Sequence, residues 1–168
     1  MFSYRLAQIE DAQSLAPRLS PSDVVDCSAR GLSPHDALSW PCRAHPEYTW
    51  AGLSFGKVEA MAGLQPIDDE TAMPWLLTSS TEIEDWRAML RVIRMGLETA
   101  SFRTYYNYVP AENRQALRLI KHLGFQVGWP TTFGDVDYMT FVRSDARRKR
   151  ASPLGDAALT DSDRPPQG

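Results

Sequence analysis

Several stretches of this 168-residue chain carry residue types that could do chemistry, and each has a competing structural role. Ser79, Ser80 and Thr81 form a hydroxyl run. A nucleophile needs an adjacent base and a phosphate loop needs glycines, and neither accompanies them. His122 falls late in a helical segment, where a cation is favoured by the helix dipole; a general-base role is the alternative. Asp68, Asp69 and Glu70 offer an anionic turn that would suit an amine or simply be solvated. Tyr105, Tyr106 and Tyr108 either line a ligand slot or pack alternately into a core. Cys27, His35, Cys42 and His45 come in an order and at gaps that match no zinc pattern with closely paired ligands, so free thiols and no metal are expected. Arg147-Arg148-Lys149-Arg150 is a compact cationic run able to meet phosphate or an acidic partner.

The elements that would position these groups belong to an ordinary globular body. Hydrophobic residues make up 43% and charged residues 23%, close to the average for a single packed domain. A net charge of −3 argues against a body that binds nucleic acid through its overall field, because such domains are usually basic. No apolar run is long enough to span a bilayer, and Met1-Phe2-Ser3-Tyr4-Arg5 does not open a secretion signal. A protein that is not secreted is expected.

The pattern of periods predicts an alternating α/β order. Tyr4 to Ala7 reads as a strand and Glu10 to Leu19 as a helix. Ser20-Pro21 and Ser33-Pro34 then repeat one start signal, Ser at the N-cap and Pro at the first helical position. Gly31 ends the first of these helices, and Pro41 is expected to kink or stop the second. Tyr48 to Phe55 and Val58 to Gln65 are extended runs around a turn at Gly56-Lys57. In the second run Val58, Ala60, Ala62 and Leu64 form the apolar face. Met73 to Thr78 completes a three-strand meander.

Thr81 and Glu84 make a capping box, and Ile83, Trp86, Leu90, Ile93 and Leu97 continue as the apolar stripe of a long helix. Thr104 to Val109 is a strand, and Asn113 caps a helix that buries Ala116, Leu117, Ile120 and Leu123 before Gly124 stops it. Phe125 to Thr132 and Val136 to Val142 close the body as a hairpin.

The run Asn113-Arg114-Gln115-Ala116-Leu117-Arg118-Leu119-Ile120-Lys121-His122-Leu123-Gly124-Phe125 resembles the stretch of GNAT N-acetyltransferases in which Asn caps a helix, Ala packs it on the sheet and Gly-Phe ends it. With the element order, the resemblance implies a single α/β (α+β) domain over residues 1–143, with about four helices and a mixed sheet of about seven strands splayed between the fourth and fifth. Residues 144–168 are expected to form a disordered tail, basic and then rich in Pro and Asp. The resemblance also implies acetyl-CoA in the splay, held by Leu76, Leu77, Thr78 and Asn113; no residue is assigned as catalytic.

Two features depart from active members of that family. The junction Thr78-Ser79-Ser80-Thr81-Glu82-Ile83-Glu84-Asp85 has neither Gly nor Arg, and Glu82, Glu84 and Asp85 crowd the helix start where a pyrophosphate would lie. Ile120 stands where many active members carry a Tyr that protonates the departing thiolate.

Asp23-Val24-Val25, Ser33 to Leu38, Pro74 to Thr78 and Asn107-Tyr108-Val109 are similar to the small GNAT-like proteins of short-tailed, autographivirus-type phages related to internal virion protein A. That resemblance implies a virion or assembly protein with virion-protein partners, in the host cytoplasm or the particle, whose acetyl-CoA site is degenerate and holds no cofactor. The alternatives are an acetyl-CoA-dependent N-acyltransferase with an atypical loop, and nucleic-acid or partner binding through Arg147, Arg148, Lys149 and Arg150.

Overall fold

The computed structural model describes residues 2–79 and 86–144. The tail with its basic run, and the Thr81–Glu84 capping box with the neighbouring carboxylates, lie outside the described residues. The elements follow the expected order: β1 (Phe2–Leu6), α1 (Ile9–Leu15), α2 (Pro21–Ala29), α3 (Pro34–Ala44), β2 (Thr49–Ser54), β3 (Lys57–Pro66), β4 (Thr71–Thr78), α4 (Trp86–Thr99), β5 (Thr104–Pro110), α5 (Arg114–His122), β6 (Gln126–Phe133) and β7 (Val136–Ser144). Five α-helices are therefore described, because all three candidate helices before the meander form. Short 3₁₀ turns at Ala16–Arg18 and Pro46–Tyr48 join them.

The start signals act as read. Ser20 Oγ accepts from the Asp23 amide at 3.3 Å and Ser33 Oγ from the Asp36 amide at 3.1 Å. Asn113 Oδ1 accepts from Ala116 at 3.0 Å. Each bond satisfies an orphan donor of a first helical turn.

The seven strands form one sheet in the order β1-β2-β3-β4-β5-β7-β6. All neighbours are antiparallel except β4 and β5, whose parallel ladder consists of two pairs, Thr71↔Thr104 and Ala72↔Tyr105. Helices cover both faces. On one face Ala12 and Leu15 of α1, Cys27 of α2 and Leu38 of α3 pack with Met61 and Leu77. On the other, Leu97 of α4 and Ile120 of α5 pack with Leu64, Tyr105 and Phe141, while Met89 meets Ala60.

Three local expectations are corrected. Pro41 does not stop α3, which runs on to Ala44; the proline is buried and its carbonyl accepts from the His45 amide at 2.8 Å and the Thr49 hydroxyl at 3.2 Å. β3 is not apolar on one face only, because a bulge places Val58 opposite Leu53 and Ala60 opposite Gly52, and Glu59 is the extra residue between them. Val58 thereby joins Met61 on the α1–α3 face, while Ala60 and Leu64 face α4 and α5. The hairpin turn sits at Phe55-Gly56, not Gly56-Lys57. Both residues have positive φ, 50° and 80°, as a two-residue hairpin turn that matches the strand twist requires.

Candidate functional site

The sheet comes apart where the sequence changes character. Two residues beyond the last ladder pair, Pro74 of β4 has no N–H to donate, and Asn107 of β5 sends its side chain across instead, Nδ2 donating to the Pro74 carbonyl at 2.9 Å. Beyond this side-chain tie β4 and β5 share no further pair. The divergence leaves a cleft of about 660 Å³ that reaches both faces of the sheet. From one face it is lined by Asp23, Arg30, Asp36 and Trp40, and from the other by Asn113 and Ile120.

Alternation along β4 decides what the strand offers the cleft. Pro74, Leu76 and Thr78 share a register, and the polar groups of the first and third already point away from β3. Leu76, lying between them, directs its own N–H and C=O into the gap. Thr78 has its amide bonded to Asp23 Oδ2 at 2.8 Å, its hydroxyl to the same oxygen at 3.1 Å, and its carbonyl to the Ser20 amide at 2.9 Å.

Of the residues expected at the cofactor, Leu76, Leu77 and Asn113 line the cleft. Thr78 is not among the lining residues, and its backbone groups are engaged by α2. Ile120 lines the cleft with 8% of its surface exposed. Ser79 is buried and its hydroxyl donates to Glu59, whose carboxylate also meets Arg18 at 3.3 Å and Lys57 at 3.2 Å. This cluster anchors the end of β4.

The remaining chemical candidates scatter. Tyr105 is fully buried and its hydroxyl donates to the Leu97 carbonyl at 2.9 Å, whereas Tyr108 lines the cleft. His122 is exposed on α5 and does not line the cleft. Asp68 accepts from the Glu70 amide within its own turn, and Glu70 pairs with Arg103 at 3.0 Å. His35 lies 3.8 Å from Asp36, His45 packs edge-on against Trp40, and Cys42 bonds the Leu38 carbonyl. Among the described residues no group of three or more His, Cys, Asp or Glu is placed to hold a metal, and no helix is long and apolar enough to cross a membrane.

The residues that sequence reasoning missed lie on α2. Arg30 donates from Nη2 to the Tyr108 carbonyl at 2.8 Å and from Nη1 to Asn107 Oδ1 at 3.4 Å. Its Nε pairs with Asp26 at 3.0 Å, and its guanidinium lies 5.7 Å from the centre of the Tyr138 ring, whose hydroxyl also donates to Asp26. Burial raises the Asp23 carboxyl above its ordinary value, and nearby Asp26 adds to this, while the bonds from Thr78 and Ser20 oppose it. Cys27 is pushed up to about 11, first by burial and then by Asp26 and Asp23, which keeps it a thiol at neutral pH. Pro74 was the one legible signal, since a proline within a strand marks a local edge.

The residues present fit the acyl-pantetheine half of a coenzyme A thioester. An extended amide chain needs a slot between strands and a free edge to pair with, and the gap beside Leu76 supplies both. The junction that the resemblance assigns to a pyrophosphate includes residues 80–85, which lie outside the described residues.

No protein-family model matches the chain, and no curated protein matches it. Solved structures do. The yncA protein of Salmonella typhimurium, named an acetyltransferase and solved with its cofactor acetyl-CoA, superposes with a TM-score of 0.63 over 90% of this chain and 98% of its own, at 14% identity. An N-acetyltransferase of Staphylococcus aureus gives 0.65 over 86% and 98%, at 12% identity. A GNAT-family acetyltransferase of Bacillus anthracis gives 0.63 over 85% and 94%, at 11% identity. At such identities the likeness is one of fold, and the chain has the GNAT fold: a single α/β domain whose seven-stranded sheet parts between its parallel β4 and β5.

Proposed function

We propose that this chain binds an acyl-coenzyme A in the β4/β5 split and transfers the acyl group to an amine. The observation that carries the reading is the split itself, an open cleft through both faces with the Leu76 edge directed into it. The thioester, when bound, supplies the activated acyl group. Leu76 pairs with the pantetheine amide and orients it along β4, Leu77 and Asn113 form walls, and Asn113 keeps its cap on α5. Ile120 excludes water but gives no proton, so the thiolate takes its proton from solvent. The acceptor approaches over α3, where Asp36, Trp40 and Arg43 line the cleft. A carboxylate and an exposed indole attract the acceptor as an ammonium, which gives one proton to solvent to become the nucleophile and a second to solvent as its C–N bond forms and the C–S bond breaks.

Affinity is expected to be weak, because the resemblance assigns the pyrophosphate to a junction whose sequence carries the carboxylates Glu82, Glu84 and Asp85. Calorimetry with acetyl-CoA and a thiol-release assay over a panel of primary amines test the reading together. Saturable binding with amine-dependent thiol release is the expected result. Absence of both at millimolar cofactor would overturn it and leave the second reading, a phage virion or assembly protein with a degenerate site. That reading rests on the sequence resemblance and on the same three carboxylates.

A further inference from the structure

Beyond the last ladder pair β4 and β5 share no backbone pairing, and above the Asn107–Pro74 tie both lips are bonded to one helix. The N-terminal end of α2 is tied to the β4 lip: the Thr78 amide and hydroxyl both donate to Asp23 Oδ2, and the Ser20 amide donates to the Thr78 carbonyl. Its C-terminal end is tied to the β5 lip through Arg30, which bonds the Tyr108 carbonyl and Asn107 Oδ1. Arg30 is itself locked by Asp26 and Tyr138, the latter from β7, the partner strand of β5.

Asp23 and Arg30 are seven residues apart, two turns of helix, so they share a face and stand roughly 10 Å apart along the axis. The polarity is complementary: a carboxylate meets a backbone N–H on one lip and a guanidinium meets a backbone C=O on the other. Asn107 serves both systems. Its Nδ2 ties the base of the split to Pro74, and its Oδ1 accepts from Arg30 and from the Tyr108 amide, at 2.7 Å.

We infer that α2 is a brace across the open end of the split, with Asp23 and Arg30 as positioning residues that hold the two lips at a fixed separation and so set the width of the slot for the thioester. The last clause rests on the proposed acyltransferase reading; the brace does not. A helix tied at both ends couples the lips, whereas two unrelated surface bonds leave each lip to open alone.

Backbone amide exchange separates these cases without any ligand. Thr78 reports the β4 lip and Tyr108 the β5 lip, since their amides are held by Asp23 and by Asn107. Arg30→Met should speed exchange at Thr78, on the far lip, by ~10-fold, the size expected for losing a charged hydrogen bond. Asp23→Ala should do the same at Tyr108. Asp23→Asn keeps an oxygen acceptor for Thr78 and should restore slow exchange at Tyr108, as Arg30→Lys should in part at Thr78; these milder variants also serve if the others fail to fold. Acceleration confined to the lip whose own partner was removed would overturn the brace. In a second arm, acetyl-CoA titrated into wild type and both milder variants should lose affinity in the order of their lip exchange rates. Equal affinity across the three, with wild type binding, would overturn the width-setting role. No binding to wild type would count against the acyltransferase reading alone, with the brace judged on exchange.

Discussion

Helices α2 and α3 begin alike and end in different employment. Each opens with Ser-Pro-x-Asp, and each carries an Arg ten residues after that Ser: Ser20 to Arg30, and Ser33 to Arg43. In α2 the Asp reaches Thr78 and the Arg reaches Tyr108, so both charges are bound to backbone on opposite sides of the split. In α3 the Asp accepts from its own cap Ser33 at 2.7 Å and lies 3.8 Å from His35, while the Arg donates to Ser39 on its own helix. Arg43 makes no ion pair among the described residues. One local pattern thus yields a strut where the helix bridges two halves of the sheet, and a wall whose charges bond within their own helix where it rests on one half.

The largest expected difference is in stability. Arg30→Met removes three charged hydrogen bonds and leaves the Asp26 carboxylate, among the described residues, with the Tyr138 hydroxyl alone, so a loss of about 2 kcal/mol in urea unfolding is expected. Arg43→Met should stay within about 0.5 kcal/mol, as for a surface change. Equal losses would erase the distinction between strut and wall.

A pH series sharpens the comparison at Asp23. Its folded-state pKa is raised, chiefly by burial, so the folded chain holds that proton more tightly than the unfolded chain does. The sign follows: this residue stabilises the fold most below its ordinary pKa, and that contribution is lost as pH climbs through the raised folded value. Asp23→Asn does not titrate. The stability of wild type relative to this variant should therefore fall across that window and level off above it. A difference that grows with pH would mean that the bonds from Thr78 outweigh burial.

The cysteines extend the contrast. Cys27 of α2 is 3% exposed and has its pKa pushed up to about 11, while Cys42 of α3 is half-buried with a thiol also raised by burial. At pH 8 iodoacetamide should modify Cys42 first. Arg30→Met should quicken Cys27 and leave Cys42 unchanged, because loosening the strut uncovers only the thiol beneath α2. A rate at Cys27 indifferent to Arg30 would show that α2 stays seated without it.

Much of the frame was legible because its causes are local. Ser20, Ser33 and Asn113 announce helix starts through bonds to their own third residues, and the stripe of α4 follows from periodicity. Pro41 misled because a proline's missing N–H says nothing about its carbonyl, which finds Thr49. The face of β3 misled because a bulge leaves no mark in an alternating pattern. The candidate site was half legible for a related reason. Leu76, Leu77 and Asn113 came from the resemblance, but Asp23 and Arg30 bind backbone groups some 55 and 78 residues away. A backbone partner has no residue identity for the sequence to display.

The smallest expected effect lies on the α3 side and separates recognition from architecture. Trp40 is 46% exposed and lines the cleft. Its edge-on packing with His45, at 5.5 Å between ring centres, is a surface contact, so Trp40→Ala should change unfolding stability by no more than about 0.5 kcal/mol. If the acceptor amine passes this wall, the indole contributes a cation–π attraction of about 0.5 to 1 kcal/mol at such an exposed position, or roughly a two- to fivefold rise in acceptor KM on removal. kcat should hold, because the indole meets the ammonium on the approach and touches nothing at the reacting atoms. Trp40→Phe, which keeps a weaker aromatic face, should fall between. A fall in kcat at constant KM would place Trp40 at the reacting atoms instead of on the approach. No change in either constant would show that the acceptor reaches the split by a path that avoids α3, leaving Asp36 and Arg43 to their bonds within that helix.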